Sequence, residues 1–366
     1  MKSVSHLITT VERGGAENQL LVLVKEQIAS GWHVEVIPLK GSLDLKNELE
    51  DLGAQLNLSL HNKPIFVQIF ILRGSLSKSI QLLHAHLPRA ELIAAVARKR
   101  KTFLFTRHNA ESFMPSMPGI ISVALSRFVT FRASHGIAIS HAVEKFLLET
   151  KEVPKKYPMR VIHYGYIART SNYLEFNRQK ISAQSRNSNI LRIGMIGRLV
   201  PQKDYPTLLK AFAKFSQSFP ASSLQIIGSG YLKAELSELS YNLGIENRVE
   251  WVGKISNVFD YLEDFDLFVL TSSYEGFGLV LLEAMDAGVP LLASRNSAIP
   301  EVMGVDYPGL IQTSNAVQLA DKMIEVMSSQ EVQQSFVKFY AERIDSFAAE
   351  KMWRSIEDVY KRVGNE

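Results

Sequence analysis

The sequence contains no cysteine. Disulfides and thiolate metal sites are thereby excluded, and the absence fits a reducing compartment. Nor is there an uninterrupted apolar run of the ~18 residues that a membrane-spanning helix needs. The longest candidate, Gly119 to Ala133, is broken by Arg127 and Arg132. The opening MKSVSHLITTVERGGAE carries charge too early and too often for a secretory leader. No internal repeat and no low-complexity segment is found. Aromatic–basic interleaving is missing too, so a pI near 9.0 does not make nucleic acid an expected partner.

What is there suits a two-domain globular protein: 366 residues, 46% hydrophobic and 21% charged. The formal charge of +4 conceals an asymmetry. Residues 1–180 hold 24 Lys and Arg against 14 Asp and Glu, whereas 181–366 hold 17 against 23. All nine histidines lie in the first half. Such a split points to two units with different partners, the first facing something anionic.

The chain opens as strand, glycine turn, helix, strand: Val4 to Thr10, Gly14-Gly15, an apolar helical pattern through Leu20, Leu23, Val24 and Ile28, then His33 to Pro38. Further strands are expected at 82–85, 103–106, 136–139 and 160–163, with helices over 90–100, 120–133 and 142–150. The polar stretch 168–190, rich in Ser, Asn and Arg, reads as a linker. A second alternation follows, with strands at 191–195, 223–227, 249–252, 267–271 and 289–293 and helices between them. Two successive β/α units imply two parallel sheets, with ligands at the carboxyl ends of their strands.

The sharpest local signal is Tyr274-Glu-Gly-Phe-Gly-Leu-Val-Leu-Leu-Glu283, after the apolar run Leu267 to Leu270. Glu275 is expected at the end of a strand, beside glycines that let a ligand approach the backbone. The N–H groups of Gly276, Phe277, Gly278 and Leu279, at a helix start, suit a phosphate. Glu283 lies eight residues beyond Glu275, which on one helix would aim both carboxylates from the same edge. Carboxylates accept hydrogen bonds from vicinal hydroxyls such as those of a ribose or a hexose.

With these residues the sequence resembles the family-4 retaining glycosyltransferases of the GT-B fold, whose hallmark is Glu-x7-Glu in the second domain. The resemblance implies two Rossmann-like domains facing across a cleft: residues 1–170 for the acceptor, a linker at 171–189, residues 190–345 for the donor, and a last helix, 346–366, returning to the first domain. It implies that Glu275 lies by the transferred sugar and Glu283 grips the ribose. It also picks out Arg198 and Lys203 in Gly197-Arg-Leu-Val-Pro-Gln-Lys203, which would clamp a diphosphate and stabilise the leaving group in place of a metal. Gly14 and Gly15, at the start of the first helix, would meet the donor, and His108 would orient the reacting sugar. His86 and His141 occupy similar loop positions and stay open as alternatives. Where the family has a Gly-Gly-Ile-Pro-Glu turn, this chain reads Ser297-Ala-Ile-Pro-Glu301, which puts backbone contacts there in doubt.

Other motifs point less far. Gly228-Ser-Gly230 lacks the third glycine of a dinucleotide fingerprint, the position being Lys233, so a tight turn is expected and a dehydrogenase is not. Asp264-Phe-Asp266 has the spacing of a metal-holding pair but precedes an apolar strand. His84-Ala-His86 lacks a nearby third ligand along the chain, so no metal and no cofactor are expected. The expected activity is retaining, metal-independent transfer of a hexose from a nucleotide sugar, UDP-linked by preference, to a glycan or polyprenyl-linked acceptor in surface polysaccharide assembly. A front-face route, with the leaving phosphate helping to deprotonate the acceptor, is what the resemblance implies. A nucleotide-sugar 2-epimerase of the same architecture and a non-catalytic sugar-nucleotide-binding protein are the alternatives. The cluster Arg98-Lys-Arg-Lys101 and the apolar stripe Ile120, Ile121, Ala124, Leu125, Phe128 suggest an anionic membrane surface as a partner, at the cytoplasmic face.

Overall fold

A computed structural model describes residues 2–75, 82–98, 103–169 and 190–364. The expected linker at 171–189 and the basic residues Lys99, Arg100 and Lys101 lie outside the described residues. The chain divides into two compact units, Met1–Ile167 with Phe347–Glu366, and Ala168–Ser346.

Unit 1 is a seven-stranded, wholly parallel sheet in the order β3-β2-β1-β4-β5-β6-β7. Its strands are β1 (Ser3–Ile8), β2 (His33–Pro38), β3 (Gln55–Leu56), β4 (Leu83–His86), β5 (Phe103–Arg107), β6 (His135–Ala138) and β7 (Met159–Val161). Its helices are α1 (Gly15–Ala29), α2 (Lys46–Asp51), α3 (Ile65–Ser75), α4 (Pro88–Ala97), α5 (Gly119–Arg132) and α6 (His141–Glu149). The first helix runs on its apolar spacing and stops where Gly31, at φ +78°, turns the chain into β2.

Alternation along the strands sorts the core into two layers. Val4 and Ile8 of β1 and Leu104 of β5 pack with Leu20, Leu23 and Val24 of α1. Leu7, Leu83, Ala85, Phe103 and Phe105 point the other way, onto Ile93 of α4 and Val129 of α5. The same period carries His6, His84 and His86 to the α1 side. That side is sealed by Met352, Trp353, Ile356, Val359 and Tyr360.

Unit 2 is a six-stranded parallel sheet in the order β10-β9-β8-β11-β12-β13. Its strands are β8 (Leu191–Ile196), β9 (Ser222–Ile227), β10 (Val249–Gly253), β11 (Leu267–Leu270), β12 (Leu291–Ser294) and β13 (Leu310–Ile311). Its helices are α7 (Tyr205–Ser218), α8 (Lys233–Asn242), α9 (Phe259–Leu262), α10 (Leu279–Asp286), α11 (Ile299–Met303), α12 (Ala316–Ser328), α13 (Gln330–Val337) and α14 (Tyr340–Ser346). The helix α15 (Ala349–Gly364) belongs to unit 1 and supplies the seal just described. Strands β11 and β12 are buried at every position, as expected of parallel strands covered on both faces.

In both sheets the strand order reverses beside the first strand, between β1 and β4 and between β8 and β11. Loops diverge at such a point and leave room for a ligand. The expected helix over 90–100 ends earlier, at Ala97, and Arg98 is already extended. Short elements were invisible to periodicity, since α2, β3 and β13 are too brief to repeat.

Candidate functional site

At the reversal point of unit 2, the loops after β8 and β11 are laced together. Ser273 N–H donates to the Gln202 carbonyl at 2.7 Å, Gln202 Nε2 to the Tyr274 carbonyl at 2.9 Å, and Thr271 Oγ1 to the Lys203 carbonyl at 2.9 Å. The result is a fixed pair: Lys203 Nζ lies 2.5 Å from Glu275 Oε1, with both side chains largely buried. Ser272 Oγ donates to the same oxygen at 2.6 Å. The other oxygen, Oε2, has no bond among the described residues. Lys203 is delivered by a short turn, Pro201–Lys203, that ends in Asp204 at φ +46°. The Asp204 carboxylate accepts from Thr207 and Ser314 and steadies that left-handed residue.

Two other sequence candidates lie in the same two loops. Arg198 follows β8, is exposed, and makes no ion pair among the described residues. Gly278, at φ +95°, is the residue from which α10 starts, and no side chain caps that helix. Its first amides and its positive dipole end are thus presented at the loop that carries Gly276 and Phe277. The eight-residue interval between Glu275 and Glu283 is not two turns of one helix: Glu275 precedes α10 in the loop, and Glu283 sits within it. Among the described residues the Glu283 carboxylate has no hydrogen-bond partner. Loss of solvation pushes its carboxyl up to about 7, so a donor hydroxyl would be a favourable neighbour.

The lost glycine turn also has a resolution. Ser297 occupies a left-handed conformation, φ +48°, of the kind glycine takes without cost, and its Oγ donates to the Glu275 carbonyl at 2.7 Å. Ser297→Ala keeps the strain and loses the bond, and is expected to cost about 1–2 kcal/mol. Ser297→Gly loses the bond but relieves the strain, and should stay within about 0.5 kcal/mol of the native protein. Urea unfolding of the two variants separates these cases. Gly228 and Gly230 serve close packing: a Cβ there would lie 2.0 Å from the Gly197 carbonyl and 2.2 Å from the Leu199 carbonyl. Asp266 accepts the Arg192 amide at 2.7 Å and so pins the entry to β11.

Unit 1 corrects one expectation directly. His84 and His86 do have a third histidine nearby, for His6 of β1 pairs in register with His84, and the ligand atoms of all three lie within 4.8 Å of one another. Neighbouring strands supply what spacing along the chain could not. Their ring nitrogens are already satisfied, however, and along the branch through His6, His86 and His108 only one pattern of protons satisfies the neutral rings. Gln27 Oε1 can only accept, so His6 donates from Nε2 (2.9 Å). His6 Nδ1 then accepts from His86 Nε2 (2.9 Å), His86 Nδ1 from His108 Nε2 (3.2 Å), and His108 Nδ1 from the Tyr164 hydroxyl (2.6 Å). On the other branch the Gln27 amide nitrogen donates to the Tyr360 hydroxyl, and His84 is hydrogen-bonded through Nδ1 to that hydroxyl and through Nε2 to Thr106 Oγ1, each at 2.7 Å.

Desolvation keeps these rings neutral, lowering His6 to about 4 and His108 to about 3, and His84 and His86 well below the usual range. His108, expected to orient the sugar, is therefore buried with both nitrogens engaged. His141, one of its alternatives, is exposed at the start of α6. Gly14 and Gly15 do open α1, without a side-chain cap, but Glu17 in the first turn already places a carboxylate by those amides.

Comparison with known proteins accords with this layout. The family model "Glycosyltransferase Family 4" matches residues 13–167, and "Glycosyl transferases group 1" matches residues 177–343. The chain is 28% identical over 295 residues to the N-acetyl-alpha-D-glucosaminyl L-malate synthase of Bacillus anthracis, covering 78% of this chain and 76% of that one. It is 21% identical to the capsular polysaccharide biosynthesis glycosyltransferase CapM of Staphylococcus aureus, covering 89% and 84%. Among solved structures, Anabaena HepE in complex with UDP and glucose superposes with a TM-score of 0.81 at 20% identity, over 99% of this chain and all of that one.

Proposed function

Because the chain belongs to family 4 of the glycosyltransferases and has the GT-B fold, we propose that it transfers a hexose, with retention, from a UDP-sugar to a glycan or lipid-linked acceptor in the assembly of a bacterial surface polysaccharide. The observation that carries this reading is the Lys203–Glu275 pair at the reversal point of the second sheet, beside the uncapped start of α10. Lys203 and the unpaired Arg198 would hold the diphosphate, aided by the amides of Gly276 to Leu279. Glu275 would present its free Oε2 to the sugar, and Glu283 would accept from the ribose hydroxyls. HepE, of the same fold, is described with UDP and glucose, which supports the choice of donor.

The test is direct. UDP should raise the unfolding temperature, by about 2.7 kcal/mol of stabilisation at 100 times its dissociation constant. Transfer from a UDP-hexose should persist in excess chelator, since the two cations stand in for a metal. Abolition of activity by chelator, with rescue by Mn²⁺ or Mg²⁺, refutes that part. Conversion of the donor in the absence of an acceptor would indicate an epimerase.

For the membrane, the relevant surface is wider than the sequence suggested. No helix among the described residues is long and apolar enough to cross a bilayer. Helices α3, α4 and α5 are neighbours, and they leave Phe66, Phe70, Ile120 and Phe131 more than half exposed. Across these three helices the sole acid is the buried Glu91, and the exposed cations are Arg73 and Arg127, whereas Arg89 and Arg132 are half-buried and donate to Gln68 and to the Ala95 carbonyl. An apolar, cationic face of this kind suits anionic lipid, each cation adding about 1 kcal/mol. Co-sedimentation with phosphatidylglycerol vesicles but not phosphatidylcholine vesicles is expected, reversed by high salt. Phe66→Ser with Phe70→Ser should weaken it at least about tenfold. Indifference of the native protein to anionic vesicles at low salt removes the membrane from the picture.

A further inference from the structure

The loop that carries Glu275 is held at both ends by two consecutive residues of the loop after β12. Asn296 Nδ2 donates to the Ser272 carbonyl at 3.1 Å, and Ser297 Oγ donates to the Glu275 carbonyl at 2.7 Å. The same Asn296 nitrogen reaches the loop after β13, where it donates to Thr313 Oγ1 at 2.8 Å. A primary amide is the uncharged side-chain group that carries two donors on one nitrogen, which is what a bridge between two acceptors demands. Its orientation is set by chemistry, because the Ser272 carbonyl can only accept. Nδ2 must face that carbonyl, and Oδ1 is left buried without a partner among the described residues. An unmade buried acceptor costs stability, so its retention asks for a compensating role.

What the bridge fixes is a single peptide. The Ser272 carbonyl and the Ser273 N–H belong to one trans unit and point to opposite sides of it. Asn296 holds the first, and the Gln202 carbonyl accepts from the second at 2.7 Å. Pinned from two loops, this peptide sets the position of Ser272, whose Oγ donates to Glu275 Oε1 at 2.6 Å. Without Asn296 the carbonyl of the fully buried Ser272 would lose its donor. The peptide would then be driven to rotate toward another partner, and Ser272 Oγ would move with it.

Building on the reading in which Glu275 acts at the sugar, we propose that Asn296 is a positioning residue for the transfer. Through the Ser272–Ser273 peptide it keeps Oε1 of Glu275 tied to Ser272 and Lys203, so that Oε2 is the oxygen turned to the donor. The test follows UDP release from UDP-glucose, UDP-galactose or UDP-N-acetylglucosamine, whichever the native protein uses fastest. Asn296→Ala should lower kcat at least about tenfold, as misplacement of a reacting group does, with KM and the UDP dissociation constant within about twofold of native. Asn296→Asp, equal in shape but without the donor, should lose as much, which a space-filling role would not cause. Ser272→Ala lies on the same route, so its combination with Asn296→Ala should lose no more than the worse single variant. The proposal is overturned if folded Asn296→Ala or Asn296→Asp keeps the native kcat, if the loss lies in KM alone, or if the two single losses multiply. Hydrogen exchange needs no substrate. Amides of residues 272–276 should exchange about tenfold faster in Asn296→Ala while those of β11 do not change, and native exchange in that loop also overturns the proposal. UDP binding by thermal shift reports separately: its absence in the native protein would sink the glycosyltransferase reading, while the exchange result still decides whether Asn296 orders the loop.

Discussion

Replacement of Lys203 by Met is expected to lower kcat/KM by roughly 10²–10³-fold, the loss typical of a single electrostatic group aimed at developing charge. The cation sits 2.5 Å from Glu275, and leaving-group charge would develop beside it. A second cost accompanies the first. Lys203 and Glu275 are both largely buried, so removing one partner strands the other carboxylate, a loss of about 3–5 kcal/mol in comparable pairs. The two costs are separated by assaying UDP release well below the variant's own unfolding temperature. Lys203→Arg keeps the charge but not the compact geometry and should fall between the native protein and Lys203→Met. If the folded Lys203→Met protein turns over at the native rate, Lys203 is a structural ion and the metal-free account of leaving-group stabilisation fails with it.

Acid should destabilise the protein through the buried histidines of unit 1. Their folded-state values lie below the ordinary 6.5, to about 4 for His6 and about 3 for His108. The unfolded chain therefore binds protons that the folded chain refuses, so the stability is complete above pH 6.5 and is lost as pH falls toward those values. Each ring contributes up to about 1.4 kcal/mol per pH unit in that window, or about 3 kcal/mol for His6 over its whole span. Glu91 and Glu283, raised to about 7, act in the opposite sense and gain stability as pH falls from 7 toward 4.5. A difference measurement removes them. His6→Gln, compared with the native protein by urea unfolding from pH 7 to pH 5, should show a slope shallower by about one proton. Equal slopes would mean that His6 titrates normally and that the buried array does not hold as described.

The fold was legible where apolar spacing was long. Strands such as β8 and β9 and helices such as α5 and α6 lie within two residues of their expected bounds, because buried parallel strands and amphipathic helices leave strong patterns. The helix α3 was missed although it is apolar nearly all round, since a run like Ile65-Phe-Val-Gln-Ile-Phe-Ile-Leu has no polar face to set its period. Within the site, the loop motif around Glu275 was readable because glycines and a preceding strand frame it. The helical spacing argument for Glu283 was not sound, because Gly278 interrupts the geometry. The third histidine could not be read at all. It depends on which strands become neighbours, and the β1–β4 pairing joins residues nearly eighty positions apart.

One consequence concerns the order in which the molecule is made. Helix α15 closes the α1 side of the first sheet, and Tyr360 supplies a hydroxyl to both Gln27 and His84. During synthesis the whole of unit 2 leaves the ribosome before that helix does, so the first sheet must wait, with one apolar layer open, until the second unit has emerged. Unit 2, contiguous in sequence, has no such wait. The nascent chain therefore completes its middle before its beginning, and the interval is when β1, α1 and their histidines are most open to chaperones or to misassembly.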